Sequence, residues 1–194
     1  MNMATRLYRR KAYLEKMHPF VNDTGIIKVI TGIRRCGKAC LMKTAAEEII
    51  GHGVPTKNIV FIDLEKYGLR RIKTPDQLEA TIEEYIPHKI EGTIYLFIDE
   101  IQRVEGFEEV INAYRADGRF SIFITGSNSY LLSGELVTNL TGRYIEIELF
   151  TLSFPEYLEM RTYLGKPQVS QAKLFREFLR YGGFPKALEY DDPQ

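Results

Sequence analysis

The sequence of 194 residues has no tryptophan, only two cysteines and three histidines, and no net charge, with 26 Lys+Arg against 26 Asp+Glu. So few cysteines exclude a disulfide framework, and the scattered histidines lack the spacing of a zinc site. Balanced charge argues against a protein that works mainly by coating nucleic acid or an anionic membrane. No apolar run reaches the ~20 residues that span a bilayer, and no apolar segment follows the basic start as in a secretory signal. We therefore expect a cytoplasmic globular protein without a membrane partner.

Short apolar runs alternate with helical stretches along most of the chain. Five runs predict strands: Ile26–Thr31, Ile59–Leu64, Ile94–Asp99, Phe120–Thr125 and Tyr144–Leu149. The first four are nearly continuous in β-branched and aromatic residues, which predicts strands covered on both faces, whereas the fifth alternates like an edge strand. Helical stretches follow the first four: Lys38–Gly51, Pro75–Ile86, Phe107–Ala116 and Leu131–Leu140. This alternation predicts an α/β fold with a parallel sheet and helical crossovers.

After Leu149 the strand pattern ends and two helices are expected, one starting near Ser153 and one over Lys173–Tyr181. We therefore divide the chain into an α/β core over residues 1–150, with a helical segment over 1–24, and a helical unit over 151–194. The polar, uncapped end at Asp191–Gln194 leads us to expect either a lid or the start of a truncated C-terminal domain.

The loop Gly32–Lys38, between the first strand and the first helix, has the context of a phosphate-binding P-loop. Two glycines allow several backbone N–H groups to face one anion, the helix N-terminus adds a favourable dipole, and Lys38 reaches the β- and γ-phosphates. A chance glycine turn with a surface lysine is the alternative. The expected nucleotide contacts are Gly32, Arg34, Arg35, Cys36, Gly37, Lys38, Ala39 and Cys40.

Ala39 departs from the P-loop pattern, which ends in Gly-Lys-Ser/Thr because the hydroxyl ligates Mg²⁺. Alanine supplies no oxygen, so a water has to take that position and metal affinity falls. Two explanations of Ala39 remain open: the protein is a naturally weakened ATPase, or the sequence is an altered copy.

An acidic pair, Asp99 and Glu100, ends the third apolar run in the manner of a Walker B element. Asp99 is expected to hold Mg²⁺, and Glu100 to polarise the water that attacks the γ-phosphate. The alternative is a strand that ends in an ordinary acidic turn.

Two further polar residues are candidates for catalysis. Asn128, in the Thr125-Gly126-Ser127-Asn128 stretch, is expected to sense the γ-phosphate, although these residue types also favour turns. Arg143 is expected to reach a nucleotide on a neighbouring subunit of a homo-oligomer, or else to be a solvated surface arginine.

In this order the motifs resemble the AAA-type ATP-binding family whose members join a P-loop core to a C-terminal domain of unknown function. The matching segments are Val29–Arg35, Phe97–Gln102, Ile124–Ser129, Thr141–Tyr144 and Leu152–Leu158. The resemblance implies a P-loop NTPase αβα sandwich with parallel sheet order 5-1-4-3-2, and ATP with Mg²⁺ as ligands. It also likens Tyr181–Pro185 to the lid motif of related ATPases, in which Pro185 would pack against the adenine, and a simple helix stop at Gly182-Gly183 is the alternative.

We therefore expect an ATP-binding AAA-type ATPase that hydrolyses ATP to ADP with Mg²⁺, with hydrolysis weakened by Ala39. One alternative is a nucleotide-dependent switch or scaffold with little turnover. A DNA-associated ATPase is the other, suggested by the basic N-terminal residues Arg6, Arg9, Arg10 and Lys11, which also fit the solvated face of a helix.

Overall fold

A computed structural model describes residues 7–87, 89–126, 140 and 142–190. One parallel sheet of five strands organises the core: β1 (Ile27–Thr31), β2 (Ile59–Asp63), β3 (Ile94–Asp99), β4 (Phe120–Thr125) and β5 (Tyr144–Glu148). Its order is β2-β3-β4-β1-β5, and every neighbouring pair is parallel. The expected order 5-1-4-3-2 is confirmed.

Helices cover both faces of this sheet. The described helices of the core are α1 (Lys11–Met17), α2 (Lys38–Gly51), α3 (Pro75–Tyr85) and α4 (Phe107–Asp117). Helices α1 and α2 contribute to one apolar cluster, and α3 and α4 contribute to the other, so the sheet lies between two cores. The predicted Leu131–Leu140 helix lies outside the described residues except for Leu140.

Burial along the strands follows from their positions in the sheet. Strands β1, β3 and β4 are buried throughout, as expected, and the alternating β5 is an edge strand. The expectation that β2 is covered on both faces is wrong, because its residues alternate between buried and half-buried. Strand β2 forms the other edge of the sheet, where Phe61 is covered on one side by stacking against Phe97 at 5.7 Å between ring centroids.

Two helices after β5, α5 (Phe154–Tyr163) and α6 (Gln171–Tyr181), form a small unit with its own apolar cluster. Ser153 and Glu156 start α5 with a reciprocal capping box. Within the described ranges, no helix combines the length and apolar character that crossing a membrane requires.

Arg10 joins the N-terminal segment to this helical unit. Its guanidinium is buried and donates to both carboxylate oxygens of Glu156 at 2.8 Å, and also to the carbonyl oxygens of Phe150 and Thr151. A bidentate ion pair of this kind fixes direction as well as distance. The segment before β1 is therefore attached to the unit after β5.

A second buried cation, Lys28, lies in the middle of β1. Its ammonium donates to the carbonyl oxygens of Asp23 and Ile26 at 2.8 and 3.0 Å and to the Ser121 hydroxyl at 2.8 Å. It also lies 4.6 Å from the centroid of the Phe123 ring. These partners connect the residues before β1 to β4, and they satisfy all three N–H groups of the ammonium.

Because of this burial, Lys28 should make stability depend on pH. Burial lowers the pKa of Lys28 to about 7, well below that of a lysine in the unfolded chain. Between these two values the unfolded state binds more protons, so the free energy of unfolding should rise by about 1.4 kcal/mol per pH unit.

Lys28→Met should remove this slope, and urea unfolding followed from about pH 7.5 to 9.5 measures it. Lys57→Met, which removes an exposed lysine, is the matched control and should keep the slope. An unchanged slope in Lys28→Met would show that the pH dependence of stability does not come from Lys28.

Candidate functional site

The carboxyl ends of β1, β3 and β4 meet at one edge of the sheet, because neighbouring strands are parallel and β4 lies between the other two. The loop Gly32–Gly37 leaves β1 at this edge and leads into α2. The acidic pair Asp99 and Glu100 leaves β3 at the same edge. Segments that are far apart in the sequence therefore face one another here.

Three residues of the loop have positive φ: Gly32 at 145°, Arg35 at 70° and Gly37 at 107°. At Gly32 a side chain is also sterically excluded, since a Cβ there would stand 2.3 Å from the Leu149 carbonyl oxygen. Such turns direct successive backbone N–H groups to one side, which is the basis of anion-binding loops. The loop therefore has the backbone conformation expected of a phosphate cradle.

Lys38 begins α2 and turns back over the loop. Its ammonium is nearly buried and donates to the carbonyl oxygens of Gly32 at 3.0 Å and Ile33 at 3.4 Å. It lies 3.9 Å from Oε1 of Glu100. A cation in this position offsets part of the negative charge at the acidic edge of the sheet.

Asp99 is 6% exposed at the end of β3, and its Oδ1 accepts a short hydrogen bond from the Thr125 hydroxyl. That hydroxyl oxygen also accepts from the backbone N–H of Glu100 at 3.0 Å. Thr125 thus fixes both members of the acidic pair. Sequence reasoning missed this role: Thr125 stood in the motif, but Asn128 was the expected functional residue.

Burial raises the pKa of Asp99, because the carboxylate loses its water, and the neighbouring carboxylates of Glu100 and Asp63 add to the effect. Asp63 ends β2 directly beside Asp99 in the strand register. A buried carboxylate with acidic neighbours is stabilised in its charged form by a nearby cation. Lys38 supplies part of that charge, and a divalent cation would supply more.

Glu100 has the left-handed conformation, with φ 58° and ψ 45°, which is uncommon for a residue with a side chain. One oxygen of its carboxylate accepts from Gln102 at 2.5 Å, and the other faces Lys38. The strain costs of order 1–3 kcal/mol and is maintained by the surrounding contacts. This conformation directs the carboxylate toward the loop.

The other residues predicted to contact the nucleotide differ in how exposed their side chains are. Arg34 is exposed, with its guanidinium 3.5 Å from the Glu65 carboxylate, and Arg35 is exposed as well. Cys36 is buried and Cys40 half-buried, and burial raises the pKa of both thiols, which makes them poor nucleophiles. Ala39 is half-buried at the start of α2 and has no oxygen to offer.

Pro185 lies beside the loop although it belongs to the helical unit. Its Cγ is 3.9 Å from the place where a Cβ on Gly37 would stand. The preceding Gly183 accepts from the backbone N–H of Leu152 at 2.7 Å and has no room for a side chain there. Gly182 also ends α6, so the glycine pair both stops a helix and brings Pro185 to the loop.

Asn128 and Arg143 are the other two residues for which a catalytic role is predicted. Asn128 lies outside the described residues. Arg143 is exposed, and its carbonyl oxygen accepts from the N–H of Ile27 at the start of β1, which is the opposite edge of the sheet. Arg143 therefore cannot reach the P-loop of its own chain, and contact with a neighbouring subunit stays a prediction.

The residues present fit Mg²⁺ with one protein ligand fewer than the usual P-loop. In the described part of the chain, no three His, Cys, Asp or Glu side chains form a ready metal cage. Mg²⁺ rarely needs one, because it keeps several waters and takes one or two carboxylates together with phosphate oxygens. The carboxylate of Asp99 is suited to that role, because it is buried and Lys38 offsets only part of the negative charge around it.

Comparison with known proteins identifies the family of the chain. A family model described as an AAA domain matches residues 24–158. The chain belongs to this AAA domain family. An uncharacterized protein of Haemophilus influenzae is 38% identical over 191 residues, which is 98% of the present chain and 47% of the relative. The AAA chain thus spans about half the length of that relative.

Solved structures share the fold of this AAA chain. A DNA replication initiation factor aligns with a TM-score of 0.62 and 15% identity, covering 92% of the chain and 57% of that protein. DnaA from Aquifex aeolicus, bound to AMPPCP, aligns with a TM-score of 0.59 and 15% identity, covering 93% and 58%. The fold is the αβα sandwich of P-loop NTPases, as the motifs implied.

Removing the Thr125 hydroxyl should destabilise the acidic edge. Thr125→Val keeps the shape of the side chain but leaves the buried Asp99 carboxylate without its donor, which typically costs about 1–3 kcal/mol. Urea unfolding at neutral pH should show this loss. Thr125→Ser retains the hydroxyl and should lose far less, whereas equal losses in both variants would assign the effect to packing.

Proposed function

We propose that this chain binds ATP together with Mg²⁺ and hydrolyses it to ADP and phosphate. The observation that supports this most strongly is the approach of Lys38 to the acidic pair. Its ammonium lies 3.9 Å from Glu100 and donates a hydrogen bond to the Gly32 carbonyl oxygen of the surrounding loop. A phosphate chain placed on the loop would lie between this cation and Asp99. The relatives are longer, so the proposal concerns the nucleotide-binding portion.

In this proposal the chain's own groups bind and orient the nucleotide. Backbone N–H groups of Gly32–Lys38 and of Ala39 and Cys40 at the start of α2 hold the phosphates. The Lys38 ammonium leaves the Gly32 and Ile33 carbonyl oxygens for the β- and γ-phosphates. Pro185, beside the loop, limits the space for the rest of the nucleotide.

Glu100 is the proposed general base. It accepts a proton from the water that attacks the γ-phosphorus, while the bond from that phosphorus to the β-phosphate oxygen breaks and ADP leaves. Bound Mg²⁺, held by Asp99, supplies neutralising charge to the phosphate oxygens. Asn128 near the γ-phosphate and Arg143 from a neighbouring subunit remain proposed contributors.

Lys38→Ala should weaken binding of a fluorescent ATP analogue by about tenfold or more, because it removes a charge-assisted contact to phosphate. Lys43→Ala, on the exposed side of the same helix, is the matched control and should bind like the parent protein. Fluorescence titration compares the three proteins. Equal affinity in all three would contradict the proposed site.

Ala39 favours a second candidate, a nucleotide-dependent switch with little turnover. The missing hydroxyl weakens Mg²⁺ ligation and therefore hydrolysis more than it weakens binding. The position of Pro185 beside the loop gives a route by which bound nucleotide would affect the helical unit. A DNA-associated role that uses the N-terminal cations has less support, since Arg10 is buried against Glu156.

Ala39→Ser should restore a metal ligand, raising phosphate release by roughly tenfold and lowering the Mg²⁺ concentration needed for half-maximal turnover. Ala39→Val, which adds bulk without an oxygen, controls for packing and should bring no gain. Phosphate release measured across a Mg²⁺ titration separates the two candidates. Robust turnover before substitution, unchanged by serine, would count against the switch.

A further inference from the structure

A basic groove runs along the helical unit. It has a volume of about 650 Å³ and lies between α5, α6 and the residues that follow each helix. Of the six lysines and arginines in residues 151–190, five line this groove, whereas of the four acids only Glu177 does. The five cations are Arg161, Lys166, Lys173, Arg176 and Arg180.

The other three acids among residues 151–190 are engaged elsewhere, so the described lining of the groove carries more positive than negative charge. Glu156 is paired with Arg10, and Glu159 accepts from the Tyr8 hydroxyl at 3.1 Å, both against the N-terminal segment. Glu189 is paired with Lys186. The segregation of charge is a property of the folded unit, because neither helix carries an uninterrupted basic run in the sequence.

Inside the groove, Glu177 offsets only part of the charge. Its carboxylate lies 3.9 Å from Arg161 and 4.0 Å from Lys173. Arg176 and Arg180 are exposed and have no acidic partner among the residues that the structure describes. Two guanidinium groups, one turn apart on α6, are thus available to an anionic ligand.

Aromatic rings accompany these cations. Tyr157, Tyr181 and Tyr190 line the groove, and the Arg180 guanidinium lies 5.2 Å from the centroid of the Tyr181 ring. Tyr190 is 58% exposed, and its carbonyl oxygen accepts from Lys166 at 2.7 Å. A ring beside a guanidinium provides a flat surface on which another ring can stack.

We propose that this groove binds a single strand of nucleic acid, with Arg176 and Arg180 on phosphates and Tyr181 against a base. A groove that combines cations with the half-buried Tyr181 and the exposed Tyr190 matches the chemistry of single-stranded nucleic acid. A duplex hides its base faces, and an acidic peptide offers charge but no ring to stack. The proposal does not depend on nucleotide hydrolysis.

The test uses fluorescein-labelled oligo(dT) and oligo(rU) of about 12 nucleotides, with the whole chain at several salt concentrations. We expect salt-dependent binding of one or both strands. Arg176→Gln/Arg180→Gln should weaken it roughly tenfold and make the slope of log affinity against log salt shallower by about 1.4, as for two lost phosphate contacts. Tyr181→Leu should weaken it about fivefold or more at every salt concentration.

The matched control is Arg70→Gln/Arg71→Gln, which removes two exposed arginines and should leave binding unchanged. Both arginines follow β2, the edge strand at the opposite end of the sheet from β5. No binding of either strand at low salt would overturn the proposal, as would equal losses in the two double variants. Polyglutamate binding as tightly as the oligonucleotides, with no effect of Tyr181→Leu, would instead assign the groove to acidic protein segments. Preference for DNA or RNA follows from comparing the two strands.

Discussion

The candidate site depends on the position of β4 between β1 and β3. This order brings the Thr125 hydroxyl to Asp99 and to the N–H of Glu100, so the carboxylates are fixed by a strand that is not their own. It also sets the P-loop one strand away from the acidic pair, and in our proposal a phosphate chain and a cation would fill that separation. A sheet with β1 directly beside β3 would have no room for the hydroxyl.

Buried charge is a second organising principle. Lys28, Lys38 and Arg10 each lose water on folding, and each is surrounded by backbone carbonyl oxygens or a carboxylate. Burial of a charge is tolerated only with such partners. Lys28 and Arg10 use them to attach the N-terminal segment to β4 and to the helical unit. Lys38 differs, because its carbonyl partners belong to a loop that can offer its N–H groups to a ligand.

Much of the fold could be predicted from the sequence, since strands buried in a parallel sheet are continuous apolar runs and all five begin or end within one residue of expectation. The half-exposure of β2 could not, because its apolar composition resembles that of a central strand and only the sheet order makes it an edge. The strained Glu100 and the role of Thr125 depend on contacts between distant strands, which no local pattern encodes. The basic groove could not be predicted from the sequence for the same reason. Its cations are scattered along the chain, and only the packing of α5 against α6 brings them together.

The central claim is that the Gly32–Lys38 loop and Asp99 hold the triphosphate of ATP between them. A crystal structure of the chain with Mg²⁺ and a non-hydrolysable ATP analogue tests it most directly. The account predicts phosphate density against the loop N–H groups, metal density beside Asp99, and the Lys38 ammonium displaced from the Gly32 carbonyl oxygen. Analogue density elsewhere on the molecule, with Lys38 still bonded to Gly32, would contradict it.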